Sequence, residues 1–157
     1  MLNKCIFLLL FGLLFAGCVK IPKEMLGLGM KIDYSVINRK EIYTVNFSGA
    51  IRNENRNIVI KNIKGQISIV DPDSKKKLLS MPFSLDAVLP MSLGNISLKI
   101  DQTEEEISPL LDYFNIDRNE LAGKGTTDGQ PISGDQIVIE NMTFDKQDII
   151  ELLREKI

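Results

Sequence analysis

Tyr43-Thr44-Val45-Asn46-Phe47-Ser48-Gly49-Ala50-Ile51 alternates strictly between two sets of side chains. Tyr43, Val45, Phe47, Gly49 and Ile51 share one parity, and Thr44, Asn46, Ser48 and Ala50 share the other. Successive side chains of a β-strand point to opposite faces, so a period of two marks a half-buried strand. Gly49 inside the run marks a bulge or a close approach by another part of the chain.

The same pattern extends in both directions. On the N-terminal side, Met30, Ile32, Tyr34 and Val36 alternate with Lys31, Asp33 and Ser35, and Asn38-Arg39-Lys40 reads as the turn between two strands. On the C-terminal side, the polar run Arg52 to Asn57 reads as a loop. Ile58 to Val70 is a third strand whose apolar parity changes between Ile60 and Ile63, which predicts one extra residue near Asn62. Asp71-Pro72-Asp73-Ser74 is turn chemistry. Leu79 to Ala87 is a fourth strand, and Pro82 within it removes a ladder donor, so an edge position or a bulge is expected. Ile96, Leu98 and Ile100 form a fifth.

Beyond Ile100 the period changes. Ile107, Leu110, Leu111 and Phe114 are spaced as a helical stripe. Thr103 with Glu106 matches a capping box, and Ser108 before Pro109 matches a cap followed by a first-turn proline. An interior proline costs about 3 kcal/mol, so a short helix over 109–114 is expected. Leu121 to Thr127 (LAGKGTT) reads as a glycine-spaced strand, followed by turns at 128–131 and 133–135. Ile137 and Ile139 begin the last strand, with Met142 and Phe144 as its extension. Asp145 is the expected cap of a terminal helix, Lys146 to Lys156. About seven strands separated by short turns argue for a mainly β protein, an immunoglobulin-like antiparallel β-sandwich with a short helix near 109–114 and a C-terminal helix.

Composition limits the chemistry. The chain has 157 residues, with 19 basic against 21 acidic side chains and a net charge of −2. The one basic run, Lys75-Lys76-Lys77, sits in a turn beside Asp71 and Asp73, so nucleic acid is not an expected partner. Histidine and tryptophan are both absent. That excludes Ser-His-Asp and Cys-His nucleophiles and every histidine-bearing zinc or iron site. No enzyme activity, metal or cofactor is expected.

The N-terminus carries the other informative signal. Lys4 precedes an apolar run, Ile6 to Phe15, and Ala16-Gly17 stands directly before Cys18. The run is too short to cross a bilayer, which takes about 20 residues, and has the length of a signal-peptide core. The stretch Leu8 to Cys18 resembles the signal sequence and lipobox of bacterial lipoproteins, with Phe15 where the pattern prefers leucine. The resemblance implies removal of residues 1–17, leaving 140 of the 157. It implies acylation of Cys18, a membrane held through that lipid, and a lipidated tether over 18–29 before a domain spanning 30–157. Val19, where many inner-membrane lipoproteins carry Asp, implies an outer-membrane or cell-surface location. The other reading is an ordinary secretory signal that leaves Cys18 as a free thiol. Cys5 lies within the signal, so no disulfide is possible in the mature domain if Cys18 is acylated.

The middle of the chain resembles the LEA type-2 family, also called the water-stress and hypersensitive-response (WHy) domain. The residues carrying the resemblance are Val45 to Ile51, Asn53-Glu54-Asn55, Ile58-Val59-Ile60, Ile63 to Ile69 and Leu89 through Leu98. Glu54 replaces the proline of the family's Asn-Pro-Asn, and Pro90 to Gly94 stretches its Pro-Gly turn. The resemblance implies a non-catalytic seven-stranded sandwich associated with stress protection.

Other candidate sites have plainer readings. Asp71 and Asp73, and Asp128 and Asp135, are oxygen ligands near turns, but the ladder of an EF-hand is missing, and turn formation accounts for them. Glu104-Glu105-Glu106 reads as a solvated helix start. The GKGTTDG run lacks the spacing of a phosphate loop. The terminal helix is expected to pack on the sandwich. Two functional classes follow: a lipid-anchored interaction or structural module of the cell envelope binding an envelope protein, or a small-molecule or polysaccharide-binding lipoprotein serving a transporter.

Overall fold

Lys40–Arg52 forms β2, the strand that opens the sequence argument, and it lies inside a four-stranded antiparallel sheet. The structure, a computed structural model, describes residues 19–157. The stretch read as a signal sequence, and Cys18, therefore lie outside the described residues. On one side of β2 runs β1, Met25–Ile37, joined to it by the turn at Asn38 and Arg39, both with positive φ. On the other side runs β5, Leu93–Gln102. A two-residue strand, β6 (Gln130–Pro131), completes the order β5-β2-β1-β6. The second sheet is β4-β3-β7, made from Lys77–Val88, Ile58–Val70 and Ile137–Asp148 respectively. The chain is thus a mainly β, seven-stranded antiparallel sandwich.

Its core is the set of residues that the alternation points inward. Val45, Phe47 and Ile51 of β2 and Ile32 of β1 meet Ile60, Ile63, Ile67 and Ile69 of β3 and Met81 and Phe83 of β4, all buried. The parity change in β3 has the expected cause. Asn62 stands at φ 50°, and the register with β7 slips between Lys61 and Lys64. The extra residue returns the isoleucines to the inner face. Pro82 is exposed on β4, an edge strand, where one side carries no ladder for a missing N–H to disrupt.

Four expectations need correction. First, β1 begins at Met25 rather than Met30, so the expected tether is shorter by five residues. Gly27, at φ +60°, lies in a bulge that turns Met25 into the core, and Met25 and Leu28 occupy the space that Gly49 leaves open. Second, the helix expected from Pro109 starts earlier. It is α1, Glu104–Tyr113, with Thr103 as cap and Glu106 completing the capping box. Pro109 sits inside it and gives no N–H to Glu105. The cost of about 3 kcal/mol is offset by the cap, about 1 kcal/mol, and by full burial of Ile107, Leu110 and Leu111, each contributing about 1.5–3 kcal/mol.

Third, the segment read as a strand over 121–127 is mostly helical: α2 spans Arg118–Lys124. Asp117 accepts a hydrogen bond from Glu120 N at 2.8 Å, and Gly125, at φ 78°, closes the helix in the left-handed conformation. Only the residues after it run beside β1, where Thr127 N donates to Ile32 O at 2.9 Å. Fourth, the terminal helix α3 is Ile149–Glu155, capped by Asp148 rather than Asp145. Asp145 to Asp148 instead continue the ladder with β3, and Asp145 accepts from Asn62 Nδ2 at 2.8 Å.

Candidate functional site

The end of the sandwich that receives the chain from residue 18 is the most elaborated part of the molecule. Strand direction brings six strand ends together there: the starts of β1, β3 and β5 and the ends of β2, β4 and β7. Two loops close it, 53–57 between β2 and β3, and 89–92 between β4 and β5.

Asn53 organises these loops. It is fully buried, and its Nδ2 donates to Ile58 O at 2.7 Å and to Val88 O at 3.0 Å. Its Oδ1 accepts from Asn55 N at 3.0 Å and from Asn55 Nδ2 at 2.8 Å. The backbone joins in, with Asn53 N donating to Ser92 O at 2.9 Å and Met91 N to Asn55 O at 3.1 Å. Buried amides without partners cost free energy, and here both hydrogens of the Asn53 amide are used. Asn55 then reaches the incoming chain. Its Oδ1 accepts from Lys20 N at 2.8 Å, and its Nδ2 donates to Lys20 O at 3.0 Å. Glu54 between them is exposed and takes no part in the network.

Around this buried polar centre the surface mixes exposed apolar side chains with charged ones. Among the described residues, eleven large hydrophobic side chains are exposed, and eight of them lie at this end. Ile21, Leu26, Leu89, Met91 and Leu93 come from the chain entry, β1 and the β4–β5 connection. Ile150 and Leu153 lie on α3, and Ile157 follows its C-terminal end. No residue of α3 is fully buried; Ile149 and Leu152 are half-buried, so the helix packs on the sandwich only in part, and Ile149 N donates to Asn57 O at 2.8 Å. Beside the entry lies an open cleft of about 280 Å³, lined by Lys20, Pro22, Lys23, Glu24, Arg52 and Glu54 among others, with both charge signs.

The other sequence candidates are dispersed and structural. Glu106 is the reciprocal half of the α1 capping box, and the Thr103 backbone N–H holds its carboxyl below the usual range. Glu104 and Asp112 face Arg118 at 4.0 and 3.1 Å. Asp71 stays in its turn and accepts from Ser74 Oγ at 2.7 Å, which lowers its pKa. Asp135 accepts from the Ser133 hydroxyl within a short 3-10 turn, and Asp128 is exposed. Among the described residues, no three Asp, Glu, His or Cys side chains gather as a metal cluster. Two carboxylates on strands are lowered: Asp33 is held by the Thr126 hydroxyl and the Asn46 amide against the opposing effect of burial, and Glu140 of β7 by the Lys77 ammonium, again with burial opposing.

Asn53 and Asn55 are what reading by residue type misses, because an asparagine-rich run spells an exposed loop. No family model, curated protein or solved structure matches the chain. No helix among the described residues is long and apolar enough to cross a membrane.

Proposed function

We propose that this chain is a lipoprotein of the bacterial cell envelope, anchored through acylated Cys18, whose sandwich acts as a non-catalytic interaction or structural module. The observation that carries this reading is the fixation of Lys20 by Asn55 directly after the lipobox-like stretch Leu8 to Cys18. A chain whose residue 20 is locked into the domain transmits an anchor at residue 18 without slack. The buried Asn53–Asn55 pair also supports the resemblance to LEA type-2 domains, because the two asparagines have a shared structural task. The carboxylates with lowered pKa values serve caps, turns and cross-strand pairs, which supports binding or scaffolding rather than turnover. The location proposed from Val19 is the outer membrane or cell surface.

Crosslinking in living cells tests the module reading. The chain with Cys18 intact should capture the same envelope protein reproducibly, and Cys18→Ser should lose it. Failure to capture any protein in either form, with the sandwich folded, would count against an interaction module.

A further inference from the structure

We propose that the chain-entry end of the sandwich lies directly on the bilayer, with the Leu89–Leu93 connection and the exposed apolar residues of α3 seated among lipid headgroups. The inference rests on the reading of Cys18 as acylated and goes beyond it, since an anchored domain can equally stand off on a flexible tether.

Three observations converge. The first is reach. Only Val19 separates Cys18 from Lys20, whose backbone N–H and C=O are both bonded to Asn55. Two residues span at most roughly 7 Å, so Lys20 cannot leave the lipid surface by more than that. The polar zone of a leaflet is itself about 5–8 Å deep, so the domain end is within it. The second is the surface found there. Eight of the eleven exposed large hydrophobic residues described are at this one end, where an aqueous surface would disfavour them. Leu89 and Met91 are 55% and 65% exposed, and Leu153 is 56% exposed. The third is the aim of α3. Ile150 and Leu153 of α3, and Ile157 just beyond its end, are exposed, while Ile149 and Leu152 are half-buried and Glu155 accepts from Gln147 Nε2 of β7 at 3.1 Å. An amphipathic helix beside an acyl anchor is an interfacial element. Charge does not choose the lipid, because Lys20, Lys23, Arg52, Arg56, Arg154 and Lys156 are balanced by Glu24, Glu54, Asp148, Glu151 and Glu155.

The test uses the lipidated chain purified from cells and reconstituted in vesicles of phosphatidylethanolamine and phosphatidylglycerol. Single cysteines replace Leu89, Leu153 or, at the far hairpin, Val36; all three positions are exposed, so each variant should fold. Each carries an environment-sensitive fluorophore, and quenching by spin-labelled phospholipid is read alongside flotation of the vesicles. Quenching at Leu89 and Leu153 should exceed that at Val36 by about threefold or more, as expected for interfacial residues. Weak quenching at all three positions in protein that floats overturns the docking while leaving the anchor standing. Protein that does not float overturns the anchor and the docking together. Shielding that persists in detergent with a doubled mass assigns the patch to a second copy of the chain and also overturns the proposal.

Discussion

Asn55 holds Lys20 by both ends of its side-chain amide, accepting from Lys20 N at 2.8 Å and donating to Lys20 O at 3.0 Å across 35 positions of sequence. The pairing mimics one rung of a β-ladder. It fixes the point where the chain enters the domain, and Asn53 beneath it fixes the two loops that surround that point.

Asn53→Ala should be among the most damaging polar substitutions in the domain. It leaves the carbonyls of Ile58 and Val88 without their buried donor and removes the acceptor for two donors of Asn55. The expected loss is about 2–4 kcal/mol in urea unfolding, from several buried groups each worth about 1–3 kcal/mol. Asn55→Ala should cost less globally, yet open the entry segment. Proteolysis after Lys20, or hydrogen exchange at its amide, should accelerate while the sandwich core stays protected.

Two glycines should respond in opposite directions. A Cβ at Gly65 would meet Phe83 Cε1 at 2.9 Å, Glu140 O at 3.1 Å and Met142 Cα at 3.3 Å, two of them backbone atoms of β7. Gly65→Ala should cost about 1–3 kcal/mol by overpacking. Gly123 lies in α2 with nothing within 4 Å, so Gly123→Ala should stabilise the fold by about 0.5–1 kcal/mol. Thermal unfolding of the two variants against the parent measures both signs at once.

The start of α1 is testable by comparing two caps. Thr103→Ala removes the capping-box side chain and should cost about 1 kcal/mol. Ser108→Ala touches an interior hydroxyl that donates to Glu104 O at 2.6 Å and accepts from Arg118, and should cost less. The reverse ranking would place the helix start at Pro109.

Acid should weaken the fold through Asp33. Its carboxyl is held below the ordinary 3.8, first by the Thr126 hydroxyl at 2.6 Å and also by the Asn46 amide and Lys31, with burial opposing. A carboxylate whose pKa is lower when folded adds stability above its unfolded pKa and loses it as pH falls through the folded value. Stability should therefore decline as pH drops below about 3.8, and Thr126→Val should flatten that decline by bringing the folded pKa closer to the unfolded one. Urea midpoints measured between pH 7 and the acid range supply the comparison.

How far the sequence was legible depended on whether local pattern or distant packing decided each segment. Tyr43 to Ile51 is readable because alternation is both local and global there: the same residues that alternate also fill the core. The parity slip near Asn62 is readable for the same reason. Pro109 misleads when weighed alone, because the burial of Ile107, Leu110 and Leu111 outweighs one missing bond, and that burial depends on strands far away in sequence. LAGKGTT reads as strand only if Asp117, which caps α2 from outside the stretch by accepting from Glu120 N, is left out. The Asn53–Asn55 network is illegible from residue type. Its partners at Lys20, Ile58 and Val88 meet only when the sandwich closes. Cys18 rests on sequence alone, being outside the described residues.

The measurement that bears most directly on the central claim is metabolic labelling with a clickable palmitate analogue in cells producing the chain or its Cys18→Ser variant. A labelled, membrane-bound mature protein is expected for the former and an unlabelled, larger precursor for the latter. A variant that is still labelled, or an unlabelled parent chain, would contradict it.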